Sequence, residues 1–85
     1  MSKSLFTEAN DRLVEAIVSA RHQAGLRQVD LAQKLGKDQS FISNIERGQR
    51  RVDVLEFYML AQAIGSDPVE LFASAVSRFP DNFDI

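Results

Sequence analysis

The chain has 85 residues, 45% of them apolar and 26% charged, with only four glycines and two prolines, so it is expected to fold as one small globular domain. The absence of cysteine excludes disulfides, thiolate metal sites and cysteine nucleophiles, and a single histidine, His22, argues against a histidine-built metal or catalytic centre. No metal or cofactor is expected. No uncharged apolar-leaning stretch, Leu71 to Ser77 among them, is long enough to span a bilayer, and the first eight residues lack the apolar segment of a secretory signal. These features point to a soluble cytoplasmic protein with no membrane partner.

The net charge of −2 disfavours a polyanion partner, but the charges are unevenly placed. Residues 21–51 hold seven basic side chains (Arg21, Arg27, Lys34, Lys37, Arg47, Arg50, Arg51) against three acidic ones, a local +4, while the remainder sums to −6. An acidic body with one basic face can bind a polyanion on that face alone.

In chain order, apolar periodicity and turn signals give five helices, at about 7–24, 28–35, 39–47, 54–64 and 68–77. In the first, Leu13, Ile17, Ala20 and Ala24 form one stripe, with Thr7 chosen over Asn10 as the cap. The second carries Leu31, Ala32 and Leu35 inward and closes at Gly36. Asp38 is expected to cap the third, whose inward residues are Ile42 and Ile45. Asp53 and Glu56 make a capping box for the fourth, with Leu55, Leu60, Ala61 and Ile64 facing the core. Asp67 and Pro68 start the fifth, which carries Leu71, Phe72, Ala75 and Val76. Residues 1–78 are read as a single domain and 79–85 as a C-terminal tail.

Two helices joined by a three-residue turn containing glycine have helix-turn-helix geometry, in which the second helix can enter the DNA major groove. On that helix Gln39, Ser40, Ser43, Asn44 and Arg47 share one face. Glutamine and asparagine can make paired hydrogen bonds to adenine, and serine can bond to several bases.

At these residues the chain resembles the Cro/CI-type, or XRE-family, helix-turn-helix regulators. The resemblance rests on Gln28, then Leu31-Ala32, then Gly36, and on the run from Gln39 through Asn44 to Glu46-Arg47-Gly48, and it covers roughly residues 10–76. It implies an all-α, compact five-helix lambda-repressor-like domain with helices 2 and 3 as the helix-turn-helix. It implies base contacts from Gln39, Ser40, Ser43 and Asn44, and phosphate contacts from Gln28, Arg27, Lys37, Arg47, Arg50 and Arg51. Arg21 and Glu46 match a structural ion pair between helices 1 and 3. Two residues depart from the family pattern. Arg27 stands where a Ser or Thr cap is common, and Asp38 carries a negative charge where Ser or Thr is frequent.

For the remaining candidates, His22 reads as a surface helix residue and Phe41 as a packing residue at the edge of the third helix, with a thymine-methyl contact as its alternative. Tyr58 and Met59 read as helix packing or interface. Phe72, Val76 and Phe79, with Phe83 and Ile85, are expected to build a homodimer interface from the last helix and tail.

The functional expectation is a sequence-specific regulator of transcription, a repressor bound to double-stranded DNA at a pseudo-palindromic operator and governed by its own concentration. The competing reading is an antitoxin or other protein-binding module that neutralises a protein partner. No triad, metal cluster or phosphate-binding glycine loop supports an enzyme.

Overall fold

The computed structural model describes residues 7–83; the start of the expected domain, residues 1–6, and Ile85 of the expected interface lie outside them. The architecture is all-α, with five helices: α1 (Glu8–Gln23), α2 (Gln28–Leu35), α3 (Gln39–Glu46), α4 (Val54–Ile64) and α5 (Pro68–Val76). No strand occurs among the described residues.

Local chemistry sets the helix ends. Thr7 Oγ1 accepts the Asn10 amide at 3.2 Å, which satisfies one donor left open in the first turn of α1. Asp53 accepts the Glu56 amide at 2.7 Å while Glu56 accepts the Asp53 amide at 3.1 Å, a complete capping box at the start of α4. Asp67 accepts the amides of Val69 and Glu70, with Pro68 in the first turn of α5. Between α2 and α3 the chain reverses at Gly36, whose φ of 68° lies in the left-handed region. There the Gly36 amide donates to Gln33 O and the Lys37 amide to Ala32 O, closing the last turn of α2.

The core holds the helix-turn-helix in place. Ile17 of α1, Leu31 and Ala32 of α2, Ile42 and Ile45 of α3, and Leu60 and Ile64 of α4 form one buried cluster. Ile42 and Ile45 are each 1% exposed, and burying each side chain stabilises the seating of α3 by about 1.5–3 kcal/mol. A second cluster joins α1, α4 and α5 through Ala16, Ala61, Leu71 and Ala75; its alanines let α5 lie close against α1.

Three expectations need correction. Ala24 is exposed because it terminates α1 as its C-cap rather than extending the apolar stripe. Leu55 is 76% exposed; the inward face of α4 is Phe57, Leu60, Ala61 and Ile64, at steps of three, one and three, and Leu55 falls off that face. Asp38 occupies the N-cap position of α3, yet its side chain accepts no amide there. Past the end of α5, Phe79 is half-buried against the second cluster and meets Phe72 edge-to-face at 6.3 Å.

Candidate nucleic-acid interface

With Ile42 and Ile45 pointing inward, helical geometry sends Gln39, Ser40, Ser43, Asn44 and Arg47 outward. Gln39, Ser40 and Arg47 are exposed, and Ser43 and Asn44 half-buried. The face is short-chained and polar, and it stands on a helix whose opposite side is locked into the core.

One hydrogen-bond chain runs from the core to this face. Arg21 and Glu46 pair at 2.7 Å (Nε to Oε2) and 2.9 Å (Nη2 to Oε1), with both side chains 8% exposed. Arg21 Nη1 also donates to Leu26 O at 2.8 Å, tying α1 to the loop before α2. Glu46 Oε1 accepts Gln28 Nε2 at 2.8 Å. A carboxylate only accepts, so the amide nitrogen of Gln28 must face it and its oxygen must face away. That oxygen accepts Gln39 Nε2 at 3.2 Å. The Gln39 amide is thereby oriented, with its oxygen and its second N–H left for another partner.

The structure also shows what lies on the two flanks of α3. On one, Arg27 makes a two-point contact with Asp30, 3.0 Å from Nε and 2.9 Å from Nη2, and Asp30 also accepts the Arg27 amide at 2.8 Å. An arginine side chain cannot accept a hydrogen bond, so only the Asp30 half of a capping box exists here. On the other flank, the Phe41 ring has the Arg50 guanidinium 4.8 Å from its centroid and Lys37 Nζ at 5.3 Å. Arg50 is held by Glu56 at 2.8 and 2.6 Å and donates to Arg51 O at 2.9 Å. Phe41 itself packs partly on the main core.

These pairings hold both carboxyls well below their usual range. The side-chain hydrogen bond from Arg27 lowers Asp30 to about 2, and that from Arg50 lowers Glu56 to about 2. Arg47 Nη2 donates to Asn44 Oδ1 at 2.7 Å, linking a backbone-contact candidate to a base-contact candidate. Thus Gln28, Gln39, Glu46 and Arg21 come together in one network and Lys37, Phe41 and Arg50 in a second cluster, while Ser43 Oγ donates to Ser40 O at 3.3 Å.

Sequence reading did not identify Asp30 and Glu56 as partners of the two arginines. The i, i+3 spacing of Arg27 and Asp30 carried a usable signal. Arg50 and Glu56 meet across a loop, where no periodicity connects them. His22 and Tyr58 are exposed; the Tyr58 hydroxyl accepts Gln62 Nε2 at 3.0 Å.

A family model described as Helix-turn-helix matches residues 17–71. An XRE-family-like protein from Pseudomonas syringae pv. tomato superposes with a TM-score of 0.78 at 37% identity, covering 86% of this chain and 89% of its own. The chain belongs to the XRE-type helix-turn-helix family. That is a family of DNA-binding transcription regulators, not of enzymes. An HTH-type transcriptional regulator of Sinorhizobium fredii is 41% identical over 51 residues, which span 60% of this XRE-type chain and 66% of the relative. The fold is also that of the restriction-modification controller protein C.Esp1396I, whose tetramer in complex with its natural 35 base-pair operator matches with a TM-score of 0.77 at 24% identity, over 85% of this chain and 95% of that one. Among the described residues no helix is long and apolar enough to cross a membrane.

Proposed function

We propose that the protein is a cytoplasmic, homodimeric repressor of transcription that binds a pseudo-palindromic operator, with α3 in the major groove. The outward polar face of α3, with Gln39 oriented through Gln28 and Glu46, carries this reading. Gln39 Oε1 accepts from adenine N6 while its second N–H donates to N7. Ser40, Ser43 and Asn44 complete the base-contacting row. Gln28, Arg27, Lys37, Arg47, Arg50 and Arg51 meet phosphates, which position the protein without reading sequence.

An exposed apolar surface supports the dimer. Val54 (82% exposed), Val69 (78%), Tyr58, Phe72 and Val76 lie outward on α4 and α5, and several of them line an apolar groove of about 390 Å³. Phe72 and Val76 face a second copy, while Phe79 supports Phe72 from beneath. A two-fold dimer sets two α3 helices about 34 Å apart, one turn of the duplex. The same groove would seat the partner of an antitoxin, the second reading.

Selection of bound sequences from random DNA, followed by band-shift titration at several salt concentrations, tests the proposal. A palindromic consensus with half-sites one helical turn apart is expected. No sequence bound better than bulk DNA would reject specificity. A small protein that co-purifies and blocks self-association would favour the antitoxin reading.

A further inference from the structure

Arg27 and Arg50 sit on opposite flanks of the proposed reading helix. Arg27 directly precedes Gln28, which bonds to Gln39, and the Arg50 guanidinium lies against the ring of Phe41. Each presents its two-point edge to a carboxylate. That edge is the one a phosphate would use, since carboxylate and phosphate fit the guanidinium fork in the same geometry. Each carboxylate also takes the amide of a residue at a helix start: Asp30 that of Arg27 before α2, and Glu56 that of Asp53 before α4. An approaching phosphate would find the arginine and the neighbouring amide already bound to an internal anion.

Charge adds to the geometry. A paired arginine is close to neutral at the distance of a backbone phosphate, so it releases little of the counterion atmosphere of DNA. Of the seven basic residues between 21 and 51, Arg21, Arg27 and Arg50 are neutralised by carboxylates in this way. Asp30 and Glu46 are already counted in the local +4 of residues 21–51, and Glu56, from outside that segment, lowers it further.

We infer that Asp30 and Glu56 are affinity-limiting residues: they occupy the phosphate-binding edges of Arg27 and Arg50 and hold down the sequence-independent part of DNA binding. This rests on the DNA-binding reading above. Phosphate contacts carry no sequence information, so restraining two of them lowers bulk and operator affinity by about the same factor.

The test uses the full chain and a fluorescent random-sequence duplex, whose binding does not depend on base readout. Anisotropy titrations over a range of salt concentrations give affinity and salt slope for wild type, Glu56→Gln, Asp30→Asn, Glu56→Gln with Arg50→Gln, and Glu70→Gln on α5 as a remote charge control. The amide side chains keep an acceptor for the capped N–H while removing the charge. Glu56→Gln and Asp30→Asn should each steepen the log–log salt slope by about 0.9, which at 0.1 M salt is about eightfold tighter binding. The gain of Glu56→Gln should vanish when Arg50→Gln is added, and Glu70→Gln should leave the slope unchanged. An unchanged slope in Glu56→Gln and Asp30→Asn, or a gain that survives the loss of Arg50, would overturn the inference while leaving DNA binding intact. Failure of every protein to bind the duplex at low salt would overturn both.

Discussion

Replacing Glu46 with alanine should be the most damaging single change to the site. The substitution removes the acceptor of three hydrogen bonds, at 2.7, 2.9 and 2.8 Å. It leaves the Arg21 guanidinium buried, with Leu26 O as its remaining backbone acceptor. Breaking a buried pair by deleting one partner costs about 3–5 kcal/mol, because the other charge stays desolvated and uncompensated. A chain of this size has a total stability of about 4–13 kcal/mol, so Glu46→Ala removes a large fraction of it. At about 4–8 °C per kcal/mol for a domain of this length, Tm should fall by at least about 12 °C. Urea unfolding followed by circular dichroism measures the loss directly. Exchanging Arg21 and Glu46 together for methionine and leucine should cost far less than Glu46→Ala alone, because no orphan charge remains. A loss below about 1 kcal/mol for Glu46→Ala would refute the reasoning, since that is the scale of a solvent-exposed pair.

Other outcomes follow from the same geometry. Gln39→Ala should cost about 1–3 kcal/mol on the preferred operator and relax the preference at one base pair per half-site, as read by competition titration with single-base variants. Gly36→Ala should destabilise by about 1–2 kcal/mol in urea, because a φ of 68° disfavours a Cβ even though the space around it is open. Stability should fall on acidification between about pH 4.5 and 2: Glu56 moves from an ordinary value of 4.5 to about 2 in the fold and Asp30 from 3.8 to about 2, so their contribution is complete above the ordinary values and lost as pH drops through the depressed ones. Glu56→Gln should flatten that part of the pH profile.

The five helices and the outward polar face of α3 were legible in the sequence because they depend on local rules. Cap residues such as Thr7, Asp53 and Asp67 mark the starts, and the three-four spacing around Ile42 and Ile45 fixes which side of α3 is free. The periodicity failed at element ends. Ala24 and Leu55 continue an apolar pattern in the sequence but sit where the helix has stopped or its face has turned away. The electrostatic partners were less visible still. Gln28 lies on α2 whereas Gln39 and Glu46 lie on α3, and their contact depends on how the two helices pack over the shared core. Glu56 announced itself as a capping residue, and nothing in its spacing linked it to Arg50.

The central claim is that the outward face of α3 enters the duplex. Titrating ¹⁵N-labelled protein with its selected operator and mapping amide and side-chain shifts tests it most directly. The largest changes should fall on Gln28, Gln39, Ser40, Ser43, Asn44 and Arg47, with the Gln39 side-chain amide among them. Changes concentrated instead on α1 and α5, with the α3 face unmoved, would contradict it.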